Sequence, residues 1–240
     1  MVLGPRPLFA WAWCVAGASA MAPRPPSARL LTRRSGLFDG LKNPFDDRPG
    51  CTVSKVQVAL YNEGGRDSAS GFLSDAARKL EEDERDSALA YFVADVSTGL
   101  SRRKASWAYA SCETRLFDGG EVENNDHERY FNKLVNSEEA KYEKEYVPSA
   151  EEMEKIAAAR GGMCVVSLIT AIEGDCMWVF DGASTSARGL GETLRNLGAQ
   201  ALVAGGDELY NGEVLWTPSE PGEALFKDDM LLDFPELMIL

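Results

Sequence analysis

One uncharged segment, residues 163–172, constrains the fold of this chain most strongly. It reads Met-Cys-Val-Val-Ser-Leu-Ile-Thr-Ala-Ile and lies between Gly161-Gly162 and Glu173-Gly174-Asp175. Apolar residues that follow one another without alternation are typical of a central strand that is buried on both faces, or nearly so. We therefore expect this segment to be the strand that lies deepest in the core of a β-sheet.

Three further segments have the composition and spacing of strands. In residues 53–61, Val56, Val58 and Leu60 alternate with smaller or more polar neighbours, and residues 106–117 alternate in the same way. The third is the short run 214–216. It must end before Pro218, because proline lacks the backbone N–H that a central strand donates.

Apolar residues recur at helical spacing in residues 66–80, 84–102 and 184–202. The last of these segments has either Thr185 or Ser186 as its N-cap. Residues 124–160 are different, because charged side chains dominate them and apolar residues are sparse. We expect two helices there, broken near Val147-Pro148, with a start signal at Asn136-Ser-Glu-Glu139. Residues 176–180 are either a short extension or an extra edge strand.

These segments together predict one α+β domain over residues 51–240, with a helical insertion at about 124–160. Without the insertion, the order is strand, helices, strand, strand, helix, strand. That order is the split β-α-β-β-α-β arrangement of ferredoxin-like folds, in which right-handed crossovers place the helices on one face of the sheet.

Charge is distributed unevenly along the chain. Residues 1–50 carry seven Lys or Arg against three Asp, a net charge of +4, whereas residues 51–240 carry 18 against 35, a net charge of −17. An acidic domain repels phosphate backbones, so we exclude nucleic acid as a ligand. Its acidity either favours a basic protein surface as partner or serves solubility alone.

The N-terminus reads as two targeting signals in series. Residues 1–20 contain Arg6, an apolar run and Ala18-Ser19-Ala20, as signal peptides do. Residues 21–50 are basic, rich in Pro and Ser and free of acidic residues until Asp39, which is typical of a plastid transit segment and linker. The pair resembles the bipartite leader of algae with red-algal plastids, and the alternative is a secreted protein with a Pro-rich pro-segment. No apolar run after Ala20 approaches the roughly 20 residues of a transmembrane helix.

The chain offers little of the chemistry that common active sites use. His127 is the only histidine, so a multi-histidine metal site is excluded and a His-based triad would need this exposed-looking residue. Asp126, Glu128, Glu138 and Glu139 lack EF-hand spacing and are interpreted as a solvated helical face. No complete G-x-G-x-x-G or P-loop occurs. We predict no catalytic, cofactor-binding or metal-binding residue.

Four cysteines follow the leader, and none has metal-ligand spacing. Cys112 and Cys164 lie in predicted strands and are interpreted as small buried hydrophobes. A redox link between these two strands remains an alternative.

Several segments together resemble an uncharacterised family of cyanobacteria and plastids, domain-of-unknown-function family 1517. They are Lys55-Val-Gln-Val-Ala-Leu60, 103–109, 128–134, 165–174, Glu213-Val-Leu-Trp-Thr-Pro218 and Leu231-Leu-Asp-Phe-Pro-Glu-Leu237. The family has no established active site, so the resemblance implies none here. Its most specific residues are candidates for a partner surface or for core packing, and they are Trp216, Pro218, Leu231, Phe234 and Pro235.

Compartment and resemblance together predict a non-enzymatic plastid accessory protein that binds or assembles other proteins. Its most concrete form is a peripheral photosystem subunit or assembly factor at the stromal face of the thylakoid. The acidic residues Asp228, Asp229 and Asp233 flank apolar ones, which suits either helix N-terminal charge or an exposed binding ridge. The alternatives are a small-ligand-binding protein or enzyme that uses carboxylate or Cys residues in a cleft, and a thiol-regulated scaffold.

Overall fold

The computed structural model describes residues 49–62, 68–142, 162–219 and 224–240. Its strands are β1 (Cys51–Asn62), β2 (Trp107–Phe117), β3 (Gly162–Glu173), β4 (Leu209–Thr217) and β5 (Met238–Ile239). Its α-helices are α1 (Ala69–Glu81), α2 (Ala88–Arg102), α3 (Gly119–Glu123), α4 (Asp126–Tyr142), α5 (Ala187–Ala201) and α6 (Lys227–Asp233). None of the described helices is long and apolar enough to cross a membrane.

The five strands form one open antiparallel sheet in the order β4-β3-β1-β2-β5. β1 is the middle strand, and its Val56 pairs with Cys112 of β2 on one side and with Leu168 of β3 on the other. Residues 163–172 of β3 are buried without interruption. The prediction that this apolar run is a strand buried on both faces is therefore confirmed.

Helices α1, α2 and α5 cover the first face of the sheet. Val56, Val58 and Leu60 of β1 point toward them and share one apolar core with residues of all three helices. The predicted stripes provide these contacts, since Leu73 of α1 and Leu194 of α5 are fully buried. Helix α5 begins where its cap was expected, because the Ser186 hydroxyl accepts the Gly189 amide at 3.0 Å.

Helices α4 and α6 cover the second face of the sheet, whereas the helices of the predicted α+β core, α1, α2 and α5, lie together on the first face. Side chains alternate along a strand, and the residues of β1 between those of the first core are buried too. Val53 packs with Phe131 of α4, and Ala59 packs with Phe234 of α6. The described part of the charged segment, α4, is therefore a structural layer of the domain.

The ferredoxin-like strand order is not confirmed. In a split β-α-β unit, a crossover helix brings the chain back so that the second strand runs parallel to the first. Here two helices join β1 to β2, and Trp107 at the start of β2 pairs with Leu60 near the end of β1. The second helix returns the chain to the end at which β1 stopped, which makes β2 an antiparallel neighbour.

The remaining predictions have mixed outcomes. The closing strand 214–216 lies in β4 and pairs with β3, where Trp216 is opposite Val166. Residues 176–180 form a 3-10 turn, Met177–Phe180, rather than a strand. The start signal at Asn136 is wrong, because that residue lies inside α4. The second helix expected in the insertion lies outside the described residues, and so does nearly all of the segment 1–50 for which two targeting signals are predicted.

A close contact between backbone segments at the start of α5 gives a test of this packing. A Cβ atom at Gly189 would lie 2.1 Å from the carbonyl oxygen of Gly182, whereas a Cβ atom at Gly191 would meet its nearest neighbours at 3.6 Å. We expect Gly189→Ala to lower the free energy of unfolding by roughly 1–3 kcal/mol, because main chain cannot swing aside as a side chain can.

Gly191→Ala is the matched control on the same helix. It should leave stability unchanged or raise it by up to about 1 kcal/mol, because alanine is the better helix former. Denaturant unfolding of the parent and both variants measures the difference. Equal midpoints for the two variants would contradict the close contact.

Candidate functional site

Five polar side chains lie together in the middle of the second face, between its two apolar groups. They are Lys55 and Gln57 of β1, Ser111 of β2, Ser167 of β3 and Glu138 of α4, hereafter the polar cluster, and all are buried. Their position follows from strand geometry, because residues two apart along β1 point to the same face. Buried polar groups of this kind are stable only when they bond to one another.

Glu138 is the centre of the polar cluster, and its side chain is 0% exposed. Its Oε1 accepts from Lys55 Nζ at 2.9 Å and from Lys141 Nζ at 2.9 Å. Its Oε2 accepts from Gln57 Nε2 at 2.8 Å and from Ser167 Oγ at 3.3 Å. Four donors thus satisfy both oxygens of a carboxylate that has been removed from water.

Gln57 connects the three central strands through side chains. Its Nε2 donates to Ser167 Oγ of β3 at 3.1 Å as well as to Glu138, and its Oε1 accepts from Ser111 Oγ of β2 at 2.6 Å. A side chain at this position must therefore offer both a donor and an acceptor, and an amide does so.

Charged neighbours fix the protonation state of the lysine. Burial by itself would lower the pKa of Lys55, but the hydrogen bond and charge of Glu138, with the charges of Glu236 and Glu113, raise it above its usual value. Those two outer carboxylates lie 3.8 Å and 3.7 Å from Lys55 Nζ. Lys55 is accordingly an ammonium ion at neutral pH.

An open depression of about 580 Å³ leads from solvent to Lys55. Its lining includes Glu113, Lys141, Leu232 and Glu236. Burial raises the pKa of Glu236, but its hydrogen bond with Lys141 and the lysine charges outweigh that effect and lower it. Glu113 Oε1 accepts a hydrogen bond from the Tyr130 hydroxyl, and the two oxygens are 2.6 Å apart.

The charged groups around the depression form ion pairs with one another, two ammonium groups against three carboxylates. The ammonium groups of Lys55 and Lys141 face the carboxylates of Glu113, Glu138 and Glu236. Because each cation already has a carboxylate partner, an anionic ligand would have to displace an ion pair. The arrangement is best suited to hold α4 and the C-terminal segment on the sheet.

A further carboxyl group on the second face has an unusual acidity. Burial first, and then the charge of Glu139 in α4, raise the pKa of Glu213 in β4 to about 8. Glu213 is therefore protonated in most molecules at pH 7.

The predicted signature residues divide between the core and the surface. Phe234 and Pro218 are buried, and Trp216 is partly buried against the core of the first face. Leu231 and Pro235 are exposed. The signature is therefore partly a packing motif and partly a surface.

The exposed part of the signature lies among several exposed apolar residues near the end of the chain. We call Leu231, Leu232, Pro235 and Ile239 the C-terminal ridge. Leu232 is 78% exposed and Ile239 is 76% exposed. Ile239 pairs with Tyr109 and so lies on the second face, as α6 does. Leu232 and Pro235 also line the depression next to Lys141.

Two interpretations of the charged segment are wrong. Glu138, assigned to a solvated face, is buried, and His127, described as exposed, is buried with its ring centre 6.1 Å from that of Tyr210. Burial lowers the pKa of His127 even though neighbouring carboxylates raise it. One signal could have found Glu138: it follows Phe131 and Leu134 at i+7 and i+4, on the apolar stripe of the helix.

The cysteine thiols lie in sites of low reactivity. Burial raises the pKa of Cys164 to about 12, and burial with the charge of Glu113 does the same for Cys112. These two residues are in β3 and β2, strands that flank β1 and so lie roughly 9–10 Å apart, and they pair with different residues of β1, Leu60 and Val56. A disulfide needs Cα atoms within about 7 Å, so it cannot join them without rearrangement of the sheet.

Comparison with known proteins gives a family but no characterised relative. The model of a family described as "Protein of unknown function (DUF1517)" matches residues 50–240. No curated protein matches the chain, and no solved structure matches it. In the described part of the chain, no group of three or more His, Cys, Asp or Glu side chains is placed to hold a metal ion.

The first prediction from this site concerns the buried ion pair. Glu138→Ala leaves Lys55 buried without its nearest partner, and we expect a loss of about 3–5 kcal/mol in the free energy of unfolding. The double replacement Lys55→Met with Glu138→Leu removes both charges and should cost less than Glu138→Ala alone. Urea unfolding at neutral pH compares the three proteins. A Glu138→Ala variant as stable as the parent would exclude a structural role for the pair.

The second prediction concerns pH. The Glu213 carboxyl has an ordinary pKa of 4.5 when exposed and about 8 in the fold. Between these values the folded state keeps a proton that the unfolded state has lost, so stability falls as pH rises. Glu213→Gln should remove this decline. At a pH above the folded-state pKa, its free energy of unfolding should exceed that of the parent by on the order of 1–3 kcal/mol, and at a pH below the unfolded-state pKa the two proteins should be almost equally stable.

Glu139→Gln serves as the control for the second prediction. It removes the repelling charge but not the burial of Glu213, so its gain at high pH should be smaller. Denaturant unfolding across the pH range measures both variants. A Glu213→Gln gain that does not change with pH would contradict the shifted pKa.

Proposed function

This chain belongs to the family described as "Protein of unknown function (DUF1517)", and the side chains of its C-terminal ridge are exposed to solvent. We propose that it is a non-enzymatic accessory protein that binds or assembles other proteins. The single observation that carries this proposal is the exposure of the C-terminal ridge. Leu232 and Ile239 keep more than three quarters of their surface in water. Side chains of this kind grouped together mark protein interaction sites.

The surroundings of the ridge define the kind of partner. Asp228 and Asp229 lie in the first turn of α6, and Glu236 follows the helix. Residues 51–240 carry a net charge of −17. We infer a partner with an apolar groove and a basic rim, because opposite charge at the rim steers association and apolar contact at the centre stabilises it. The same acidity argues against nucleic acid.

The proposed setting is the plastid, in the stroma or at the stromal face of the thylakoid. Support for this setting comes from the two targeting signals of residues 1–50. In the most concrete version of the proposal, the protein is a peripheral photosystem subunit or an assembly factor. Import through the bipartite leader would deliver the mature domain to that face of the membrane.

A second candidate function is the binding of a small ligand, with or without catalysis. One observation favours it: the depression beside Lys55 and Lys141 brings two ammonium groups and several carboxylates to a surface that solvent reaches. A zwitterionic ligand could exchange with the ion pairs there. It is the weaker candidate, because those ion pairs are already complete.

The test of the proposed function uses the ridge directly. We expect the parent protein to migrate with photosystem complexes on native gels after mild detergent extraction of thylakoids. The double variant Leu232→Ser with Ile239→Ser should lose this migration while it keeps the parental melting temperature, because both side chains are already in water.

Leu202→Ser is the matched control, since Leu202 is also an exposed leucine but lies at the end of α5, away from the ridge. It should migrate as the parent does. A parent protein that runs free of every thylakoid complex at low and moderate salt would rule out the photosystem version. Equal migration of the parent and the ridge variant would rule out the ridge as the binding surface.

A further inference from the structure

In the described part of the chain, the outer edge of β2 has no neighbouring strand over most of its length. β5 pairs only with Tyr109 and Ala110, and β2 continues to Phe117. Within the described residues, no strand lies beside the stretch from Cys112 to Leu116, and all five of its residues are at least partly accessible. An open edge of this length is a template for pairing with another strand.

The register of β5 shows which backbone groups of β2 point outward. The Leu240 amide donates to the Ala108 carbonyl at 3.2 Å, on the side of β2 away from β1. Backbone groups of a strand point to its two sides alternately, and pairing from Tyr109 to Phe117 is regular. The N–H and C=O groups of Cys112, Thr114 and Leu116 therefore point away from the sheet.

The charges along this edge are complementary to those of a second copy that runs in the opposite direction. It reads Cys112-Glu113-Thr114-Arg115-Leu116. If two copies pair in antiparallel fashion about Thr114, Glu113 of each copy lies opposite Arg115 of the other, and Cys112 lies opposite Leu116. Glu113 and Arg115 also have partners in their own chain, Lys55 at 3.7 Å and Glu121 at 3.2 Å, but both side chains are about half exposed, so the contact between copies adds to these pairs. Opposite charges directly across a strand pair stabilise it, whereas like charges destabilise it. In this register the outward N–H and C=O groups of the two copies face each other, so the backbone of Thr114 would form hydrogen bonds with Thr114 of the other copy.

We propose that two copies of this chain associate through the outer edge of β2, with Thr114 on the two-fold axis. The two five-stranded sheets then form one continuous antiparallel sheet. The interface is isologous, because the same segment contributes from both copies.

Apolar side chains next to the edge support this assignment. The Cys176 amide donates to Thr52 Oγ1 at 2.8 Å, and Thr52 pairs with Leu116, which brings the turn Met177–Phe180 close to the edge on the first face. Leu116 is 40% exposed and Trp178 is 60% exposed. A partner strand would cover part of this surface.

The opposite edge of the sheet lacks the same symmetry. β4 reads Leu-Tyr-Asn-Gly-Glu-Val-Leu-Trp-Thr and contains no basic residue. Self-pairing there would offer no pair of opposite charges across the two strands. Charge complementarity thus selects the β2 edge for a second copy of the chain.

Charge reversal tests the proposed register. In sedimentation experiments at physiological ionic strength, we expect the full chain to show a concentration-dependent dimer. Glu113→Arg alone and Arg115→Glu alone each place like charges opposite one another twice, and each should weaken the dimer by roughly ten-fold or more. The double variant Glu113→Arg with Arg115→Glu restores both pairs and should restore the dimer.

Cross-linking gives a readout that does not depend on those charges. Residues opposite each other in a hydrogen-bonded pair have Cα atoms about 5.5 Å apart, which suits a disulfide. Thr114→Cys should therefore form a covalent dimer under mild oxidation. The parent chain under the same oxidation gives the background, because its Cys112 would face Leu116 rather than another cysteine. Ser219→Cys, just after β4, is the control for random collision and should stay at that background.

Specific outcomes would overturn the proposal. A parent chain that remains monomeric at its highest soluble concentration, with Thr114→Cys cross-linking no better than Ser219→Cys, excludes the dimer. A dimer that is unaffected by the single reversals and by the swap, without the Thr114→Cys cross-link, places the interface elsewhere.

Discussion

The packing of helices on the second face of the sheet depends on the buried ion pair between Lys55 and Glu138. Lys55 lies in the middle strand of the sheet, where an unpaired ammonium group would be strongly unfavourable. Glu138 reaches it from α4, 2.9 Å away, and the same carboxylate binds Gln57, Ser167 and Lys141. One side chain thus fixes the position of a whole helix over three strands, and Lys141 extends the link to Glu236 after α6.

This interaction explains why a highly charged segment belongs to the core of the domain. On the second face, the apolar contacts form two small groups, one under α4 and one under α6, with the polar cluster between them. Neither group is large, whereas the first face has one extensive apolar core. Directional hydrogen bonds on the second face therefore specify the position of α4 in a way that apolar contact alone would not.

The coverage of both faces also determines where a partner can bind. Once helices occupy the two faces, a partner can reach the sheet only at its edges, and elsewhere it would contact the outer sides of the helices and the C-terminal segment. The C-terminal ridge and the edge of β2 are separate features of that remaining surface, one apolar and the other dominated by backbone groups and paired charges. They are independent proposals, although Ile239 of the ridge lies in β5, which pairs with the same edge of β2 just before the proposed dimer contact.

The sequence by itself determined four of the five strands, most of the helices and the family. Residues 163–172, the alternation around Val56 and the stripes of α1, α2 and α5 are local patterns, and burial of apolar surface enforces them wherever they occur. It did not determine the strand order, the coverage of the second face or the place of Glu138. The strand order depends on the number of helices between β1 and β2, because the second helix returns the chain to the end of β1 and makes β2 its antiparallel neighbour. A carboxylate in a charged segment has the same local pattern whether it faces water or Lys55, because its partner is 83 residues away in the chain. Only the tertiary structure decides that question, since it alone brings together the donors that make burial of the charge possible.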